Sequence, residues 1–137
     1  MSHNDELQEM CVRFRDDPES FVRFMYDWKE EALKDWEGPD WWHREVFQTI
    51  KDYLAGSNND PLLLAICSGH GAAKTAFVAW VISWFMACRA HPQVVCTANT
   101  ESQLNTKTWR ELAKWHKLSA VHDWFDWTAT SFYLKAH

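Results

Sequence analysis

Apolar and polar positions along the 137-residue chain fall into stretches of helical period and two short uninterrupted apolar runs. Between residues 4 and 36 the sequence is charged and aromatic in the manner of small amphipathic helices. Residues 5–15 predict one and residues 20–28 a second, which Pro18 is suited to open. Gly38-Pro39-Asp40 breaks the pattern. Trp42, Val46, Ile50, Tyr53 and Leu54 then recur at spacings that share one helical face, which predicts a helix over residues 41–54 that ends in a turn from Gly56 to Pro61.

Residues 62–67 (Leu-Leu-Leu-Ala-Ile-Cys) form the first apolar run, the pattern of a strand buried on both faces of a parallel sheet. Residues 74–90 follow as a helix that is apolar almost all round, so it must be covered on most sides. Residues 93–97 predict a second short strand, and Thr100-Glu101-Ser102-Gln103 has the form of a capping box that opens a helix running to about Lys117. From Trp124 to Lys135 the alternation suits a further strand or hairpin arm. Strand, loop, helix, strand and helix make a βαβ unit with a right-handed crossover. The expected fold is therefore α/β: a helical segment over residues 1–37, then a domain with a parallel sheet over residues 38–137.

Composition adds two constraints. Ten Trp, eight Phe and three Tyr bring the aromatic share to 15%, a large supply of core or stacking surface. Trp80, Trp84, Trp109 and Trp115 lie at helical spacings and are expected in the core. Lys plus Arg total 14 against 19 Asp plus Glu, a net charge of −5, which excludes a protein that coats nucleic acid through bulk positive charge. Cys11, Cys67, Cys88 and Cys96 are scattered without a C-x-x-C pair and are expected as reduced, buried thiols. The polar N-terminus lacks a secretory pattern, and residues 76–88 are too short an apolar stretch to span a bilayer.

The segment Ser68-Gly69-His70-Gly71-Ala72-Ala73-Lys74-Thr75 follows the first apolar run and opens a helix, the context of a phosphate-binding loop. In such a loop successive backbone N–H groups and the helix dipole hold phosphates, the lysine reaches the β and γ phosphates, and the Thr hydroxyl ligates Mg²⁺. Lys74 and Thr75 occupy those positions. Ser68 and Ala73 stand where the general pattern has Gly. A left-handed backbone at Ala73 would cost on the order of 1–2 kcal/mol, so the expectation is a weakened or lost nucleotide site.

Four stretches together resemble the large subunits of tailed-phage terminases, the ATP-driven motors that package viral DNA and cut it. Asp17-Pro18-Glu19-Ser20-Phe21-Val22 resembles the family's D-P-x-x-F-V segment. The stretch from Gly38 through Trp42, His43 and Val46 resembles its G-P-x-x-W-Q-x-E-[VIL] segment, whose Gln reads the adenine edge. Residues 68–75 resemble its S-G-H-G-x-G-K-[ST] phosphate loop, and residues 97–104 its T-A-x-T-x-x-Q-L segment. The resemblance implies ATP with Mg²⁺ as cofactors and places the adenine at Trp42 and His43. It also implies double-stranded viral DNA, the portal protein and the small terminase subunit as partners, a homo-oligomeric ring, and the cytoplasm of the host bacterium as location. His43 stands where the family has Gln, and Ala73 where it has Gly. No apolar run ending in Asp-Glu follows Thr97. The resemblance therefore implies that residues 38–137 are an incomplete P-loop, RecA-like ATPase domain, its front part, with the acidic pair and the nuclease expected beyond it and with little ATPase activity of its own.

Lys107, Arg110, Lys114 and Lys117 recur at helical spacing after the capping box and are candidates for contact with the DNA backbone. A solvated helix face explains the same spacing. The seven His lack the spacing and companion ligands of a structural zinc site, and no Ser or Cys lies in a nucleophile motif. Two further functional readings stand beside the terminase one: the first lobe of a helicase-like ATPase, and a non-catalytic remnant that binds a nucleotide or a partner.

Overall fold

The computed structural model describes residues 2–57, 59–67, 74–128 and 130–135. Helix α1 (His3–Arg13) starts at a reciprocal cap. The Asp5 amide donates to Ser2 Oγ at 3.2 Å and the Ser2 amide to Asp5 Oδ2 at 3.3 Å. Helix α2 (Pro18–Met25) has Pro at its first position and is capped by Asp17, which accepts the Ser20 amide at 3.3 Å and the Ser20 hydroxyl at 2.6 Å. A 3₁₀ turn (Glu31–Leu33) leads to Gly38, whose φ of +127° would strain any other residue and which lies close to Arg23 Nη1, 3.0 Å from where a Cβ would sit. Helix α3 (Trp41–Ala55) follows, then α4 (Lys74–Ala87).

Helix α4 is the centre of the molecule. Ala76, Phe77, Ala79, Trp80, Ile82, Trp84 and Met86 are buried on it, as an all-apolar helix requires, and it packs against α2 and α6. Trp80 and Trp115 are fully buried and meet edge to face at 5.2 Å. Trp28 and Trp36 close on both, with ring centres 5.6–6.2 Å away. The aromatic excess is thus spent on one cluster tying the N-terminal segment to α4 and α6, where each pair adds about 0.5–1.5 kcal/mol beyond its buried area.

Residues 100–118 were expected as one helix but form three pieces: a single turn α5 (Glu101–Gln103), a π-helical segment (Leu104–Trp109) and α6 (Arg110–Leu118). The Thr100 cap is present, with Oγ1 accepting the Gln103 amide at 3.1 Å. The Thr106 hydroxyl donates to the Ser102 carbonyl at 2.7 Å, competing with the amide an α-helix would place there, which favours the wider turn. The tail is a hairpin. β1 (Phe125–Trp127) and β2 (Phe132–Leu134) run antiparallel with Asp126 opposite Tyr133, closed by the Thr128 amide on the Ser131 carbonyl at 2.7 Å.

The expected α/β fold with a parallel sheet is not the fold observed. Helical segments hold 57% of the described residues, and the single sheet among them is this two-stranded hairpin. Residues 62–67 and 93–97 carry no strand, and Leu63 and Val95 are each 87% exposed. The reason is physical: an apolar run becomes a buried strand only where ladder partners and two covering layers exist. Here Trp28 and Trp36, which follow α2, close the core with Trp80 of α4 and Trp115 of α6. Each run contributes one half-buried residue to the edge of that core, Leu62 and Cys96. The expectation of four buried thiols is corrected with it, since Cys11 and Cys88 are buried but Cys67 is exposed and Cys96 is half-buried. Among the described residues no helix is long and apolar enough to cross a membrane.

Candidate functional site

Lys74 and Thr75 form the first turn of α4, Lys74 exposed and Thr75 half-buried. Ser68, Gly69, His70, Gly71, Ala72 and Ala73 lie outside the described residues. The opening of a 14-residue helix presents amides unused by intrahelical bonds and the positive end of the helix dipole, a setting for a phosphate anion. An exposed ammonium and a Thr hydroxyl at that end fit ATP with Mg²⁺: Lys74 would hold phosphate oxygens and Thr75 Oγ1 the metal.

The first turn of α3 packs beside that end of α4. Trp42 lies 5.6 Å from Phe77 between ring centres, and His43 lies nearly parallel to Phe77, 5.7 Å away with 9° between planes. His43 also meets Trp80 at 4.9 Å. Phe77 is three residues after Lys74, so Trp42 and His43 pack about one turn along α4 from Lys74 and Thr75. Sequence reading had no place for Phe77 in the site. Its signal was available, because an aromatic one turn past the helix start projects from the same side as the residue that opens it.

Trp42 and His43 differ in what they present. Trp42 is half-buried, whereas His43 is only 1% exposed. The Asp40 amide donates to His43 Nδ1 at 2.8 Å, so His43 takes the reciprocal-cap position that Glu or Gln fills in the usual box. A neutral ring whose Nδ1 accepts carries its proton on Nε2. One nitrogen of His43 is thereby committed to the start of α3.

The four cation candidates are exposed on a separate arm. Arg110, Lys114 and Lys117 follow α-helical geometry and share a face on α6, while Lys107 lies in the π-helical segment before it. Lys114 is also engaged locally, 3.9 Å from Glu111 Oε1 and within 5.9 Å of the ring centres of Trp36 and Trp115. Among the described residues no three His, Cys, Asp or Glu side chains gather as a metal cluster.

His116, one of the seven His set aside as zinc ligands, is enclosed by the hairpin rings of Phe125, Phe132 and Trp127 at 5.4–6.4 Å. Burial there, then the neighbouring His122 and Lys135, lowers its pKa from the ordinary value. No known protein family matches the chain, and neither a curated protein nor a solved structure is detectably similar to it.

Proposed function

We propose that the chain is a nucleotide-binding module akin to the front part of a terminase large subunit, holding ATP with Mg²⁺ at the start of α4. The observation that carries this reading is the packing of Trp42, tilted, and His43, stacked, against Phe77, one turn from Lys74 and Thr75. Lys74 neutralises the β and γ phosphates, Thr75 ligates the metal, and the half-buried Trp42 offers an aromatic edge to the base. Hydrolysis also needs a positioned water and a base, which Lys and Thr do not supply. The activity proposed for this chain is therefore binding without turnover. On the same reading double-stranded viral DNA, the portal protein and the small terminase subunit are its partners, in an oligomeric ring in the host cytoplasm, and Arg110, Lys114 and Lys117 are the residues that approach the DNA.

The test is equilibrium titration of the chain with ATP and Mg²⁺, beside Lys74→Ala. Saturable binding that the substitution removes supports the proposal, and no binding at millimolar nucleotide overturns it. One observation favours a second reading, a partner-binding module without nucleotide: the ring of His43 is buried and its Nδ1 engaged in the cap of α3. That reading predicts the null titration and retention of the fold in Lys74→Ala.

A further inference from the structure

A cavity of about 360 Å³ opens between the second half of α4, the π-helical segment, α6 and the hairpin. Ile82 and Met86 of α4 and Leu112 of α6, all buried, form its floor. Trp109 and Phe132 are aromatic walls, and both are fixed by their neighbours. The Trp109 indole donates to the Thr128 carbonyl at 3.1 Å and its ring lies 5.6 Å from that of Trp127, while Phe132 stacks on Phe125 at 4.7 Å. Thr128 also holds the hairpin turn at the rim, where its Oγ1 accepts the Thr130 amide at 3.3 Å and the Ser131 amide at 3.1 Å. The π turn contributes by geometry. Leu104 and Trp109 both line the cavity although they are five residues apart, a spacing that a π turn brings to one side and an α-helix would turn away.

The geometry points to a binding site for a small cationic amphiphile, an arylalkylamine whose flat apolar body lies against Trp109 and Phe132 and whose ammonium group meets Glu101 at the rim. The volume falls within the range of small-molecule sites, roughly 300–1,000 Å³, which pair a mostly apolar lining with a few polar groups. Charge sets the sign of the ligand. Among the described residues that line the cavity Glu101 is the only charged side chain, and its carboxylate makes no ion pair or hydrogen bond with any described residue. Cys96, half-buried at the same cavity, is held as a neutral thiol because burial raises its pKa. An ammonium brings three donors. Glu101 takes one, and the Asn105 amide oxygen and the Thr130 or Ser131 hydroxyl, all at the exposed rim, can accept the others. The aromatic walls suit both halves of such a ligand, since a ring face attracts a cation as well as an apolar body. The net charge of −5 favours the approach of a cation over that of an anion.

This site is separate from the start of α4. Ile82 and Met86 lie eight and twelve residues beyond Lys74 on the same helix, so amine binding here and nucleotide binding there stand or fall independently. The occupant is a small molecule rather than a strand or helix of a partner, because α4, α6, the π-helical segment and the hairpin surround a pocket instead of flanking an open groove. A ligand seated in it would bridge those four elements and raise the stability of the folded chain by mass action.

The experiment titrates the full chain with tryptamine by isothermal calorimetry, beside indole, which is neutral, and indolepropionate, which joins the same ring to a carboxylate. Tryptamine is expected to bind saturably and more tightly than indole, and indolepropionate to bind more weakly than either. Glu101→Gln should weaken tryptamine by about threefold to tenfold, the effect of one charge-assisted contact at an exposed rim, and leave indole unchanged. Val94→Trp enlarges an exposed lining residue and should abolish binding of tryptamine and indole alike, with circular dichroism verifying that the variant is folded. If it is not, the nuclear magnetic resonance spectrum of the parent protein decides, in which tryptamine should shift the Trp109 indole signal and the Asn105 and Ser131 amides. No saturable binding of tryptamine at millimolar concentration, indolepropionate binding as tightly as the amine, or an unchanged affinity in Glu101→Gln would each overturn the assignment. So would binding that survives a folded Val94→Trp, shifts confined to another part of the chain, or a dimer that excludes tryptamine, which would make a second copy the occupant.

Discussion

The Asp40 amide donates to His43 Nδ1 at 2.8 Å, so one imidazole both starts helix α3 and fills the core space between Phe77 and Trp80. The cap fixes the ring's edge and the stack fixes its plane. Removing the ring in His43→Ala deletes a cap worth about 1 kcal/mol and leaves a cavity in a 1%-exposed position. A loss of about 2–4 kcal/mol in urea unfolding is expected. His43→Gln keeps a side chain able to cap and should recover part of that loss. Equal losses in the two variants would show that the cap contributes nothing.

Nucleotide binding gives the second prediction. Lys74→Ala removes the ammonium at the opening of α4, and ATP affinity should fall by at least about tenfold, the effect of 1.4 kcal/mol. Ala73→Gly relieves any left-handed strain at that position and should tighten binding by about tenfold. Isothermal titration of both variants beside the parent protein reads the two directions, and an unchanged Ala73→Gly affinity would remove strain as the cause of weak binding.

Much of the helical scaffold was legible because the controlling chemistry is local. Asp17-Pro18 starts α2 where the sequence places a start, Thr100 caps α5, and the all-apolar α4 is buried as its composition demands. The parallel sheet was not legible, because residues 62–67 and 93–97 have strand-like composition whether or not ladder partners exist. Composition cannot reveal that Trp28, Trp36, Trp80 and Trp115 complete the core without a sheet. At the candidate site the helix start at Lys74 and Thr75 was readable. The cap made by His43 was not, because His is a rare occupant of the position where Glu or Gln signals a capping box. The π-helical turn likewise depends on a side-chain competitor at Thr106 that periodicity does not register.

The aromatic core makes a third prediction. Trp115 is fully buried among Trp28, Trp36 and Trp80, and its indole donates to Glu111 Oε1 at 2.9 Å. Trp115→Ala should cost about 3–5 kcal/mol, enough to unfold a marginal domain. Trp115→Phe keeps most of the packing and should cost considerably less. Thermal melts followed by far-ultraviolet circular dichroism measure both without relying on tryptophan fluorescence.

The cap of α2 makes a pH prediction. Burial alone would raise the Asp17 pKa, but the hydrogen bonds from Ser20 and the Lys51 ammonium at 3.4 Å together hold it below its ordinary value. A carboxyl depressed by folding adds stability above its unfolded pKa, about 3.9, and that stability is lost as pH falls through the lower folded value. Asp17→Ala should therefore cost about 1 kcal/mol near neutral pH. The gap from the parent protein should narrow below about pH 4.

His116 predicts a pH effect in a different window. Burial among the hairpin rings, then repulsion from His122 and Lys135, lowers its pKa from an ordinary 6.5. Between 6.5 and the lower folded value the unfolded chain binds a proton that the folded chain does not, so stability falls as pH drops through this range and levels off below it. Asp123 and Asp126 oppose the shift, and the ring is partly open to solvent, which keeps the effect small. Replacing His116 with Phe retains an aromatic ring against Phe125 and Phe132 and removes the titrating group. Denaturant midpoints measured from pH 7.5 to 5 should slope less steeply in that variant than in the parent. Parallel slopes would mean that protonation of His116 is not what loosens the hairpin.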